Sequence, residues 1–136
     1  MTDPFLICAA VLVILLIILS INVSRLRGAT KIGIGPAADP TAPLSKAVRA
    51  QGNASEYVPL FVALFLFFHA TGAPLWVMWV AIAATVARVI HPIGLMMTRS
   101  FDRGPHPLRL LGAAGTYLGG LVLGAVLVIE AFRISL

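Results

Sequence analysis

Arg49-Ala-Gln51-Gly-Asn53-Ala-Ser-Glu56-Tyr57-Val-Pro59-Leu60 runs without a break into the apolar stretch Phe61-Val-Ala-Leu-Phe-Leu-Phe-Phe68. Polar and charged groups are costly in hydrocarbon, so those that lead directly into such a stretch mark function. The pattern predicts one long helix that starts near Ala42 to Ser45 and stands clear of the bilayer for about two to three turns before it enters. At about 100° per residue, Lys46, Arg49, Asn53, Glu56 and Tyr57 share an arc of roughly 100°, while Gln51 points away from it. One face of the inner end is therefore polar. Pro59 has no N–H to donate and falls where that polar face gives way to the apolar run.

Around this segment lie three further apolar stretches, Phe5 to Val23, Ala73 to Met97 and Leu108 to Phe132. Each approaches the roughly 20 residues needed to cross about 30 Å of hydrocarbon. With 60% hydrophobic and 11% charged residues and a mean hydropathy of +1.00, the 136 residues exclude an ordinary soluble domain. The expected fold is all-α, a single four-transmembrane-helix bundle over residues 1–136, with helices at about 5–27, 44–71, 74–98 and 106–133. The first stretch begins with Asp3 rather than a basic residue and has no small-residue cleavage pattern before Arg25, so it is read as a retained helix and not a signal peptide. Cys8 is the sole cysteine and is read as a packing residue. The longest connection, Gly28 to Leu44, carries Gly33, Gly35, Pro36, Pro40 and Pro43 and reads as a flexible turn.

Charge orients the bundle. Arg25, Arg27, Lys31, Lys46 and Arg49 surround the first connection and Arg99, Arg103 and Arg109 the third, while the second has none. The excess of basic residues inside predicts cytoplasmic first and third connections, with both termini on the opposite side. These cations flank membrane spans and lack interleaved aromatics, which favours contact with anionic lipid over nucleic acid. His69, His91 and His106 have no metal-ligand spacing and no accompanying carboxylate pair, so no metal is predicted.

The turn near Thr71 to Pro74 is short, so the helices on either side are antiparallel neighbours and residues equidistant from it lie level. That construction places Arg88 opposite Val58, near Glu56 and Tyr57. It also places His91 opposite Ser55, and across the third connection it sets Tyr117 level with Arg88. A lone mid-helix Arg costs about 2.5 to 3.5 kcal/mol on insertion scales, which makes Glu56 the expected partner of Arg88. A buried ion pair that fixes register and binds nothing is the plain alternative. Against it stands the gathering of Asn53, Tyr57, His91, Arg25, Arg27 and Arg49 at about the same level, which offers cations for carboxylates, an amide for peptide groups and a carboxylate for an ammonium. Those groups complement a small zwitterionic peptide carrying excess negative charge. In the fourth helix, Gly112, Gly115, Gly119, Gly120 and Gly124 predict close helix approach, within the bundle or between subunits.

The segment from Arg49 to Phe61 resembles the signature of the membrane-associated proteins in eicosanoid and glutathione metabolism, the MAPEG family. Val23-Ser-Arg25-Leu-Arg27 and Arg88-Val-Ile-His91-Pro-Ile-Gly94 are similar to its bacterial branch, and the likeness covers essentially the whole chain. The resemblance implies a homotrimer of four-helix subunits in a bacterial inner membrane, with glutathione as cosubstrate at each subunit interface near the cytoplasmic side. It implies that Arg49, Gln51, Asn53, Glu56 and Tyr57 contact glutathione, with Arg88 and His91 at the same site and Arg25 or Arg27 reaching in from the adjacent subunit. Eukaryotic relatives carry tyrosines where this chain has His91 and Leu95. Arg99 and Arg103 both lie close to the position of the family's thiol-activating arginine.

The function so implied is a glutathione transferase, with peroxidase activity as the neighbouring chemistry, that conjugates lipophilic small molecules arriving from membrane lipid. The alternatives are a non-catalytic lipid- or glutathione-binding protein on the same scaffold and, more remotely, a transporter or channel subunit.

Overall fold

A computed structural model describes residues 3–100, 102 and 104–134. Four helices follow one another: α1 (Pro4–Thr30), α2 (Pro43–Thr71), α3 (Leu75–Met97) and α4 (Pro107–Ile134). All four are long and apolar enough to cross a membrane. The fold is thus all-α among the described residues, as the apolar stretches predict.

Local chemistry sets the ends. Asp3 caps α1 by accepting from the backbone N–H of Phe5 at 2.8 Å and of Leu6 at 3.3 Å, and Pro4 follows at the first helical position, where a missing donor costs nothing. The helix continues three residues beyond the expected stop at Arg27 and ends where Lys31 turns left-handed at φ 59°. Gly28 is carried inside the last turn, because one glycine there costs only about 1 kcal/mol relative to alanine. Pro43 opens α2, and Gly72 closes it at φ 66° with its N–H on the carbonyl of His69. Lys46 donates to the carbonyls of Met96 at 3.1 Å and Thr98 at 3.3 Å, so a cation from α2 satisfies the carbonyl-rich end of α3.

Helices α1, α2 and α3 pack on one another around Leu12, Phe61, Phe65, Phe68, Val77 and Ala81, and Leu123 of α4 completes this core. Helix α4 lies chiefly on α3, touches α2 at few points and does not reach α1. Glycine makes that α3–α4 seam possible. A Cβ on Gly112 would come within 2.7 Å of the His91 Cα, one on Gly115 within 2.7 Å of the Ala87 Cβ, and one on Gly119 within 2.8 Å of the Ala84 Cβ. On the other side of the seam, Gly94 sits against the backbone N of Arg109. Of the five glycines singled out in α4, three therefore serve close contacts with α3, a Cβ on Gly120 would meet the Phe61 ring of α2 at an ordinary 3.8 Å, and Gly124 has open space around it. The divergence of α2 and α4 leaves a sideways opening between them. It lies next to the polar end of α2.

Candidate functional site

The polar arc of α2 forms one wall of a cavity of about 670 Å3. Lys46, Arg49, Asn53 and Glu56 line it from α2, Leu95 from α3 and Arg109 from α4, and Pro36, Ala37, Ala38 and Pro40 of the first connection close it over. That connection is held in place by the buried Ser45, whose hydroxyl donates to the carbonyls of Ala37 at 3.1 Å and Asp39 at 2.7 Å. Asp39 in turn accepts from the Thr41 backbone N–H at 2.7 Å and from its hydroxyl at 2.8 Å, and these bonds hold its carboxyl below the usual carboxylate range.

A second cavity of about 380 Å3 shares Arg49, Asn53, Leu95 and Arg109 with the first and adds His91 and Tyr117. Tyr117 then borders a groove of about 720 Å3 between α2 and α4, lined by Tyr57, Leu60, Phe61, Leu64, Leu121 and Leu127 among others. Leu121, 73% exposed, stands at its open side. The rings of Tyr57 and Tyr117 lie 5.9 Å apart between centroids. Tyr117 lines both the second, cationic and amide-bearing cavity and the oily groove, whereas Tyr57 lines the groove alone. His91 borders the second cavity but is only 7% exposed, and its buried Nδ1 has no hydrogen-bond partner among the described residues.

Arg88 lies behind this surface, 1% exposed. Its guanidinium donates to Asn53 Oδ1 at 2.8 Å and to Thr116 Oγ1 at 3.4 Å, and its Cζ sits 5.0 Å from the centre of the Tyr57 ring. Three helices are tied together by one side chain. The sequence expectation of an Arg88–Glu56 ion pair is not met: Glu56 is exposed at the cavity wall and makes no ion pair among the described residues. An amide, a hydroxyl and an aromatic face compensate the buried cation instead, and they leave the carboxylate available to a ligand.

Other expected site residues are not gathered within the subunit. Gln51 is partly buried and lines none of these cavities. Arg25 donates to Asn22 Oδ1 at 3.0 Å, and Arg27 donates to the carbonyl of Gly33, both away from the cavities. Arg99 borders a different hollow at the third connection, beside Met97 and His106. Arg103 lies outside the described residues. Arg109, read from sequence only as a topology charge, lines both polar cavities. Its signal was its place in the first turn of α4, level with Gly94, where the missing side chain lets α4 approach.

Four helices long and apolar enough to cross a membrane, with two polar cavities at one end and an apolar groove that meets the smaller of them at Tyr117, define an integral membrane protein. The chain belongs to the MAPEG family, whose model matches residues 5–129. Among curated proteins, the inner membrane protein YecN of Escherichia coli strain K12 is similar, 33% identical over 82 residues, which cover 60% of this chain and 61% of YecN. YecN of Escherichia coli O6:H1 is similar to the same extent.

Proposed function

We propose that this protein is a glutathione-dependent membrane enzyme, a glutathione transferase that conjugates lipophilic electrophiles to the intact tripeptide through its thiol sulfur. The observation that carries the reading is the shared border at Tyr117, whose ring packs near that of Tyr57, between the cavity of Arg49, Asn53 and Arg109 and the apolar groove. Glutathione has two carboxylates and one ammonium, which match two arginines and a lysine on one side and the exposed Glu56 on the other. The 670 Å3 chamber also has the size of a small-molecule site, for which about 300 to 1,000 Å3 is usual.

The enzyme's task would be to hold the thiol as thiolate where an oily molecule can reach it. A thiol of pKa about 8.5 is only about 3% ionised at pH 7, and lowering it by two units, about 2.7 kcal/mol, makes roughly three quarters reactive. A guanidinium in a partly dry cavity supplies that shift. Arg109 is the group best placed for it, since it lines the cavity that also holds His91 and Tyr117; Arg99 and Arg103 are the sequence-based candidates to be compared. The thiol proton leaves to water through the open polar chamber. The sulfur pair then forms a bond to the electrophilic carbon, and the leaving group departs with its bonding electrons.

The polar chamber lies at the end of the bundle formed by the first and third connections, which the basic residues assign to the cytoplasm of a bacterial inner membrane. Apolar side chains exposed along α1 and α4, Ile14, Ile18, Leu118 and Leu121 among them, suit lipid on one side and neighbouring subunits of a homotrimer on the other. In such a trimer Arg25 and Arg27 would serve the adjacent cavity. The almost wholly apolar lining of the groove supports a second reading, a lipid- or glutathione-binding protein without catalysis.

Assay of purified protein with reduced glutathione and a chlorodinitrobenzene separates the two. Conjugation that is lost in Arg49→Ala, and in one of Arg109→Ala, Arg99→Ala or Arg103→Ala, is expected of the transferase. Glutathione binding with neither thiolate absorbance nor product identifies the binding protein.

A further inference from the structure

We infer that Arg88 is a positioning residue that fixes the direction of the Asn53 amide, so that the glutathione site presents an N–H donor at that point and selects a ligand oxygen acceptor there; the inference rests on the function proposed above. A guanidinium carries donors and no acceptor, so the Asn53 atom facing it at 2.8 Å is the carbonyl oxygen. The amide is planar and its nitrogen lies on the opposite limb. Asn53 borders both polar cavities, and among the described residues its Nδ2 donates to no protein group. Arg88 itself, 1% exposed, lines neither cavity, so any effect it has on a bound ligand passes through its neighbours.

An unanchored asparagine would present either its oxygen or its nitrogen to the cavity, because rotation about the last side-chain bond exchanges two groups of nearly equal size. With Arg88 behind it, only the donor faces forward. The cavity already offers the carboxylate of Glu56 as an acceptor for the ligand's ammonium. A second acceptor at Asn53 would meet a peptide carbonyl or carboxylate oxygen and repel it. Thr116, whose hydroxyl donates to Gly112 O at 2.7 Å and receives Arg88 at 3.4 Å, steadies the guanidinium from α4. The direction of one amide in α2 is thereby set by side chains of α3 and α4.

The test is a double-mutant cycle on glutathione affinity, measured by titration calorimetry on the intact protein. Arg88→Met is expected to weaken binding about 10-fold in the wild-type background and less than about 2-fold in the Asn53→Ala background, the size of one hydrogen bond lost through a shared residue. Equal losses in both backgrounds would overturn the inference. Asn53→Asp provides a readout that does not require the loss of Arg88. An aspartate keeps an oxygen for the guanidinium, so the thermal midpoint should hold while glutathione affinity falls by an order of magnitude or more. Unchanged affinity in Asn53→Asp contradicts the inference even if Arg88→Met fails to fold. A wild type that binds no glutathione removes the proposed function as well, whereas a wild type that binds with an additive cycle removes only the role of Arg88.

Discussion

Arg49 lines both polar cavities. A charge-assisted hydrogen bond to a ligand carboxylate contributes about 1.5 to 3 kcal/mol, so Arg49→Ala is expected to weaken glutathione binding by at least about 10-fold. Calorimetry on folded variant protein checks this, and a loss below about 2-fold would take Arg49 out of the site. The sequence made this residue legible because helical periodicity alone puts it on one arc with Lys46, Asn53 and Glu56. Arg88 was half legible. Its depth beside Tyr57 followed from counting residues away from a short turn, but its partners did not, since level residues include Asn53 and Thr116 as well as Glu56. Only rotamers choose among them. Arg109 was missed for a related reason: a cation at a helix end reads as topology until the packing of its neighbours shows which way it faces.

At the scale of helices, the α3–α4 seam depends on glycines that admit no side chain. Gly112→Ala would drive a methyl to 2.7 Å from the His91 backbone, and overpacking of this kind costs about 1 to 3 kcal/mol. A lower thermal midpoint is expected for Gly112→Ala, with reduced glutathione affinity because His91 must shift. Gly124→Ala, with open space around it, should be neutral or slightly stabilising, as alanine is favoured in a helix by up to about 1 kcal/mol. Equal effects at both positions would contradict the packing. The glycines were visible in sequence, yet spacing alone could not tell a contact with α3 from one with another subunit.

The opposite end of the bundle is clasped by Asp3, which caps α1 and pairs with His69 Nδ1 of α2 at 2.9 Å. The hydrogen bond from His69, followed by those from the Leu6 and Phe5 N–H groups, holds the Asp3 carboxyl below its ordinary value. A lowered carboxylate pKa stabilises the fold above the unfolded value, about 3.9, and the contribution is lost as pH falls through the folded value. The stability difference between wild type and Asp3→Asn should therefore be present at about pH 5 and shrink below about pH 4. Thermal unfolding in detergent across that range measures it. A difference that grows as the pH falls would show the clasp to be misread.

Over the whole molecule, the four spans were legible because hydrocarbon thickness and helix rise leave few alternatives for apolar runs of this length. What sequence could not supply is the unequal packing, with α4 on α3 and apart from α1, which opens the groove between α2 and α4 beside the tyrosine pair. Polar chamber and oily groove meet there, and the proposed chemistry depends on that meeting. Titration calorimetry of reduced glutathione into the intact wild-type protein, followed by ultraviolet absorbance for thiolate, tests it most directly. Saturable binding with thiolate absorbance at neutral pH, both diminished in Arg49→Ala, is the expected result. No heat of binding to folded protein would contradict it.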